Sequence, residues 1–185
     1  MNDPVLLYAA SAALACVLLL GALEKLRDMA GFAAAVSAYR ILPDGWSRAF
    51  AWAYAGAEAL AGALLLAPSR QAAGAELALL VLATATVALA FNLLRGHRDI
   101  DCGCGGPALR APGRGRQGGG LSWWLVLRNA VLALWTAPAL LAAAGGSRGL
   151  QWADSAAVFG LAISAVGLYF TANHLLASHL KLRNL

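Results

Sequence analysis

A chain of 185 residues could form one or two soluble domains, but 61% hydrophobic content with only 12% charged residues describes a protein whose surface meets lipid. The net charge of +5 is then a matter of membrane topology rather than nucleic-acid binding, and three cysteines exclude a disulfide-rich scaffold. With most of its mass in lipid the chain has no room for a separate catalytic domain, so chemistry must come from loops and from the inner faces of helices.

A spanning helix needs roughly 20 mainly apolar residues, and five stretches qualify. The first, residues 5–23, carries no charge. Met1-Asn2-Asp3-Pro4 lacks the basic region of a signal peptide, so this stretch is expected to stay as a helix. Cys16 within it reads as a small buried hydrophobe. Glu24-Lys25-Leu26-Arg27-Asp28 closes the span with mixed charge. In the following loop Phe32, Val36 and Tyr39 recur at helical spacing and the run stops at Leu42-Pro43-Asp44-Gly45, which predicts a short interfacial helix over about 30–40.

The second span, 49–67, contains one charge, Glu58. Its alanines at 55, 59 and 63 predict close helix packing rather than a ligand site. The third span, 77–94, is uncharged. The fourth, 121–144, holds only Arg128, and the fifth, 155–180, is uncharged. Trp46, Trp52, Trp123, Trp124 and Trp152 fall near span ends, as an aromatic belt requires. Eleven Lys and Arg residues lie on one side of this topology against two on the other, Arg128 being within a span. The positive-inside rule therefore places the N-terminus outside, and the loops 24–48 and 95–120 on the cytoplasmic face.

Residues 96–120 hold nine glycines in 25 positions and read as a flexible loop. Within it stands Asp101-Cys102-Gly103-Cys104-Gly105-Gly106. Two thiols separated by one glycine suit thiol-disulfide exchange: one thiolate attacks, the other resolves, and the spacer lets the sulfurs meet. The competing readings are half of a metal site and two unpaired surface thiols. His97 is the only histidine near enough to help ligate a metal, which leaves an intramolecular zinc site under-supplied, so no metal is assigned. Lys25, Arg27 or His97 could lower a cysteine pKa through nearby positive charge, or serve only as interfacial anchors.

Glu58 and Arg128 lie about 13 Å and about 10 Å deep at 1.5 Å per residue, counted from the dithiol face. Ionisable groups in lipid usually face the bundle interior and pair. The depths therefore predict a Glu58–Arg128 couple, with Asn129 or Asn92 adding hydrogen bonds, either functional or serving packing specificity alone.

The order of these features resembles the methylamine-utilisation protein MauE family, related to DoxX-like membrane proteins: Glu24-Lys25-Leu26-Arg27-Asp28 after the first span, Tyr39-Arg40-Ile41-Leu42-Pro43 before the second, Glu58 within it, then Asp101-Cys102-Gly103-Cys104-Gly105 and Leu121-Ser122-Trp123-Trp124-Leu125-Val126-Leu127-Arg128-Asn129. The likeness covers about residues 5–140. It implies an all-α integral membrane protein, a DoxX-like four-helix transmembrane bundle to which hydropathy adds a fifth transmembrane helix. It further implies a multi-pass protein of the bacterial inner membrane, supporting maturation of the small (beta) subunit of methylamine dehydrogenase together with a thioredoxin-like redox partner, with Cys102 and Cys104 as the redox pair and Glu58, Arg128, Asn129, Lys25 and His97 in support. The family often has an aromatic residue after the second cysteine where this chain has Gly105, and residues 111–120 look inserted. A periplasmic client would need the dithiol outside, opposite to the charge count. A non-catalytic scaffold for a thioredoxin-like partner, and a quinone-linked membrane oxidoreductase, stay open beside a thiol-disulfide oxidoreductase. No cofactor is expected unless it is a quinone, and no nucleic acid is expected as partner.

Overall fold

The computed structural model describes residues 4–43, 45–97, 121–145 and 152–183, the side chains of 143–145, 152–153 and 173–183 excepted. Cys102 and Cys104 lie outside the described residues. The described chain is helical, in the order α1 (Pro4–Arg27), α2 (Met29–Ala38), α3 (Ser47–Leu66), α4 (Gln71–Leu94), α5 (Trp123–Leu134), α6 (Ala137–Gly145) and α7 (Trp152–Arg183), with a single 3-10 turn at Pro68–Arg70. Among the described residues five segments are long and apolar enough to cross a membrane, α5 and α6 together supplying one of them. The protein is an all-helical, multi-pass membrane protein.

Local chemistry sets the breaks between helices. Lys25 and Arg27 occupy the last turn of α1, where basic residues complement the helix dipole. Asp28 then caps α2, its Oδ1 accepting a hydrogen bond from the Gly31 N–H at 2.9 Å. Between α3 and α4, Ala67 is extended (φ −88°, ψ 112°), as the residue before a proline tends to be, and Pro68 opens the turn.

Residues 121–144, read as one span in the sequence, form two helices. The backbone N–H groups of Trp135 and Thr136 reach back only three residues, to Leu132 and Ala133. Pro138, near the start of α6, has no N–H with which to continue the ladder, and this separates α5 from α6.

α1 packs on α3, α3 on α4, α4 on α5 and α6, and α6 returns to α1, closing a ring; α7 lies outside it against α1. Leu14, Leu18, Leu65, Leu82 and Leu132 fill the centre with Ala15, Ala61, Ala75 and Ala78. Small residues bring the backbones close. A Cβ on Gly74 would sit 2.7 Å from the backbone N of Leu65, so only glycine permits this approach of α4 to the end of α3. On α3 the buried set is Ala51, Ala55, Glu58, Ala61, Gly62 and Leu65. Ala59 is half-buried and Ala63 is exposed. A strict spacing of four advances 40° per step on a 3.6-residue helix, so the expected alanine row winds off the contact face. Outside, Leu80, Val87, Leu134, Phe159, Ile163 and Leu168 are all exposed, an apolar girdle that water would not tolerate and lipid does.

Candidate functional site

α1 and α4 end, and α3 and α5 begin, at the same end of the ring, and α2 packs there on α3. Lys25, in the last turn of α1, meets Glu58 of α3. Its Nζ donates to Oε2 at 2.7 Å, to Oε1 at 3.0 Å and to the Gly21 carbonyl at 3.3 Å. Three ammonium hydrogens thus have three acceptors, which is what keeps a cation in an interior. Both side chains are 9% exposed.

Aromatic rings close the pocket. Lys25 Nζ lies 5.6 Å from the Phe32 ring centroid and 5.7 Å from that of Tyr54, within the range of cation–π attraction. The two rings are 5.9 Å apart. Tyr54 also reaches across to α4, its hydroxyl donating to the Val81 carbonyl at 3.3 Å. Gly21 is required beneath the pair, because a Cβ there would fall 2.9 Å from Glu58 Oε1.

The ion pair of Glu58 is therefore with Lys25, where depth counted along the sequence paired it with Arg128. Lys25 belongs to the helix packed against α3, and its long stem carries the ammonium from the helix end down to the carboxylate. Lys25 is thus a buried, carboxylate-paired cation rather than an exposed one. Arg128 is half-buried on α5 and donates through Nη2 to Asn129 Oδ1 at 3.5 Å, the outer limit of a hydrogen bond. Asn129, 3% exposed, donates to Thr86 Oγ1 on α4 at 3.3 Å, and Thr86 donates to the Leu82 carbonyl at 2.6 Å. Asn92 is wholly buried and donates to the Ala88 carbonyl at 3.1 Å.

His97 is exposed just beyond α4, with its backbone N–H held by the Asn92 carbonyl at 3.0 Å. Cys16 is exposed on α1 rather than buried. Trp46, Trp52, Trp123 and Trp124 are exposed as belt residues would be.

A second apolar cluster lies at this same end. Tyr39, which caps α2, belongs to one buried cluster with Leu89 and Leu93 of the last turns of α4 and Leu121 just before α5. Nothing in the sequence marked Phe32 and Tyr54 as walls of an ion-pair pocket; the spacing of Phe32 and Tyr39 marked only an apolar helix face. At the opposite end, Leu6, Ala9, Ala10, Ala13, Trp135, Leu161 and Ala165 line an apolar cavity of about 200 Å³. Its lining suits a hydrocarbon chain and offers nothing charged.

A family model described as methylamine utilisation protein MauE matches residues 3–145, which takes in α1 to α6. The chain belongs to the MauE family. The methylamine utilization protein MauE of Paracoccus denitrificans is 40% identical over 144 residues, covering 77% of this chain and 71% of the relative. The MauE protein of Paracoccus versutus is 35% identical over 144 residues, 78% of this chain and 72% of its own length. That of Methylorubrum extorquens is 33% identical over 174 residues, 91% and 83% respectively. No solved structure matches. The family model stops before α7, which packs outside the ring against α1.

Proposed function

We propose that this MauE protein supports maturation of the small subunit of methylamine dehydrogenase by thiol-disulfide exchange through Cys102 and Cys104 at a face of the inner membrane. The observation that carries the reading is the Cys102-Gly103-Cys104 dithiol in the segment between α4 and α5 of a chain that belongs to a methylamine-utilisation family. In the exchange, a client thiolate attacks the Cys102–Cys104 disulfide and a second client thiol resolves the mixed disulfide. The client gains a disulfide, and two electrons and two protons pass to the pair. A thioredoxin-like partner in its disulfide form then takes the same two electrons and protons and restores the pair. Positive charge near the thiols would come from Arg98 and His97, opposed by Asp99 and Asp101.

Alkylation and mass spectrometry under mild oxidation should reveal a reversible Cys102–Cys104 disulfide, and a single-serine variant should trap a mixed disulfide with its partner. The Cys102→Ser/Cys104→Ser variant should abolish formation of active methylamine dehydrogenase. Retained activity would instead identify a scaffold, and protection of both thiols by stoichiometric zinc would identify a metal site. Impermeant thiol labelling of intact cells decides the orientation. Reaction at Cys102 or Cys104 from outside places the pair with a periplasmic client, and its absence there follows the arginine count.

A further inference from the structure

At the end of the bundle that holds the ion pair, the exposed charge is of one sign. Arg27 stands in the last turn of α1, Arg40 just past α2, Arg48 in the first turn of α3 and Arg95 at the end of α4, and all four are exposed. None is ion-paired with a described residue. The carboxylates there are engaged or withdrawn: Glu58 holds Lys25, Asp28 caps α2, and Glu24 is half-buried. Among the described residues this end therefore shows no exposed carboxylate. Trp46, Trp52, Trp123 and Trp124 are exposed at the same end, which puts the arginines at the level of the lipid headgroups. Arg95 lies over the exposed Phe91 ring, 4.4 Å from its centroid, as a cation does where hydrocarbon gives way to headgroups.

Arg40 is set apart by its backbone. Among the described residues it is the one non-glycine residue at positive φ, 51°, where the Cβ of an L-residue crowds the following carbonyl oxygen. Glycine takes the neighbouring turns of this kind, Gly45 at φ 88° before α3 and Gly96 at φ 77° after α4. The Arg40 N–H is held by the Ser37 carbonyl at 3.1 Å and Tyr39 before it is buried, so the turn is fixed and the side chain is left at the surface. An arginine where glycine would be unstrained is the kind of outlier that marks a functional position. We propose that this end of the bundle is a binding face for the phosphate of anionic phospholipid headgroups, with Arg40 as its anchored ligand and Arg27, Arg48 and Arg95 as further cations. A guanidinium meets a phosphate through two parallel N–H···O bonds, and the tryptophans at the same level favour lipid over an acidic protein as the occupant.

The test offers full-length protein in mixed micelles phosphatidylglycerol and phosphatidylcholine with identical acyl chains, and counts bound lipid by native mass spectrometry. The parent should prefer phosphatidylglycerol. Arg40→Gln should weaken that preference about fivefold, the factor for one basic residue near an anionic surface. Arg70→Gln, the same charge change at an exposed position of the opposite end, should leave it intact. Arg40→Gly separates charge from backbone. It should lose the preference as Arg40→Gln does, yet unfold about 2–4 °C higher than Arg40→Gln in lipid-free detergent, because glycine adopts a positive φ without strain.

An equal phosphatidylglycerol preference in the parent and Arg40→Gln overturns the proposal. An equal loss in Arg70→Gln also overturns it, since the effect is then one of net charge. Inorganic phosphate that raises the unfolding temperature as much as phosphatidylglycerol overturns the lipid assignment, because the face would then take a free anion. If Arg40→Gly is no more stable than Arg40→Gln in lipid-free detergent, the turn is unstrained and Arg40 is not the anchored ligand.

Discussion

Two of the polar contacts between helices among the described residues are built on different principles. Between α1 and α3 a full ion pair is wrapped on every donor: Lys25 has three acceptors and two aromatic faces, and Gly21 leaves it room. Between α4 and α5 the bridge is a neutral amide–hydroxyl bond, Asn129 to Thr86 at 3.3 Å, with Arg128 touching Asn129 only at 3.5 Å. The first stakes much on each partner, because losing one strands a charge. The second stakes little, because polar contacts between membrane helices contribute modestly even when well made.

That contrast is broken most directly at the ion pair. Glu58→Gln or Lys25→Met should each lower stability by about 3–5 kcal/mol, the range for stranding one member of a buried pair. The double variant should recover much of the loss, and thermal unfolding of the four proteins in detergent closes the cycle. Additive losses would mean that the two groups do not share their energy. Gly21→Ala probes the same pocket sterically, since its Cβ must displace Oε1 from 2.9 Å, and overpacking of this kind typically costs ~1–3 kcal/mol. Gly56, on the exposed face of α3 with nothing within 4 Å of an added Cβ, is the control. Gly56→Ala should be neutral or stabilise by up to ~1 kcal/mol through helix propensity alone.

The α4–α5 bridge should respond on a smaller scale. Asn129→Leu and Thr86→Val each remove the same interhelical bond, for which about 0.6 kcal/mol is typical of membrane bundles. The two changes together should be little worse than either alone. A loss above ~2 kcal/mol from Asn129→Leu would show that Asn129 holds Arg128 as firmly as Lys25 holds Glu58, and would erase the distinction between the two regions.

Hydropathy made the helical membrane fold legible, since long uncharged runs have few alternatives in lipid. The break at Trp135-Thr136 was signalled by Pro138, yet proline is common in membrane helices and composition alone did not cut the span. Both members of the ion pair were visible as residues that needed partners. Their pairing was not, because depth along a helix axis ignores two things the structure supplies: which helices are neighbours, and how far a lysine stem reaches. Arg128 matched Glu58 in depth, whereas Lys25 stood on the helix packed against α3. Tyr39 was legible as part of an apolar face and illegible as a member of a cluster with Leu93 and Leu121, which are far from it in sequence.

An expected effect of the opposite sign comes from Asn92. Its side chain is wholly buried, its amide nitrogen is satisfied within its own helix by the Ala88 carbonyl, and its Oδ1 has no hydrogen-bond partner among the described residues. Unlike Asn129 it therefore bridges nothing that the described structure shows, and a buried acceptor left unmade is penalised by roughly 1–3 kcal/mol. Leucine is close in volume and needs no acceptor. Asn92→Leu should accordingly be neutral or stabilising by about 1 kcal/mol, the lost local bond and some repacking offsetting part of the gain. Thermal unfolding in detergent beside Asn129→Leu gives the comparison directly. Should Asn92→Leu instead destabilise by more than Asn129→Leu, Oδ1 must be accepting a hydrogen bond in the folded protein. The α4 end would then be a second polar anchor ranking above the α4–α5 bridge.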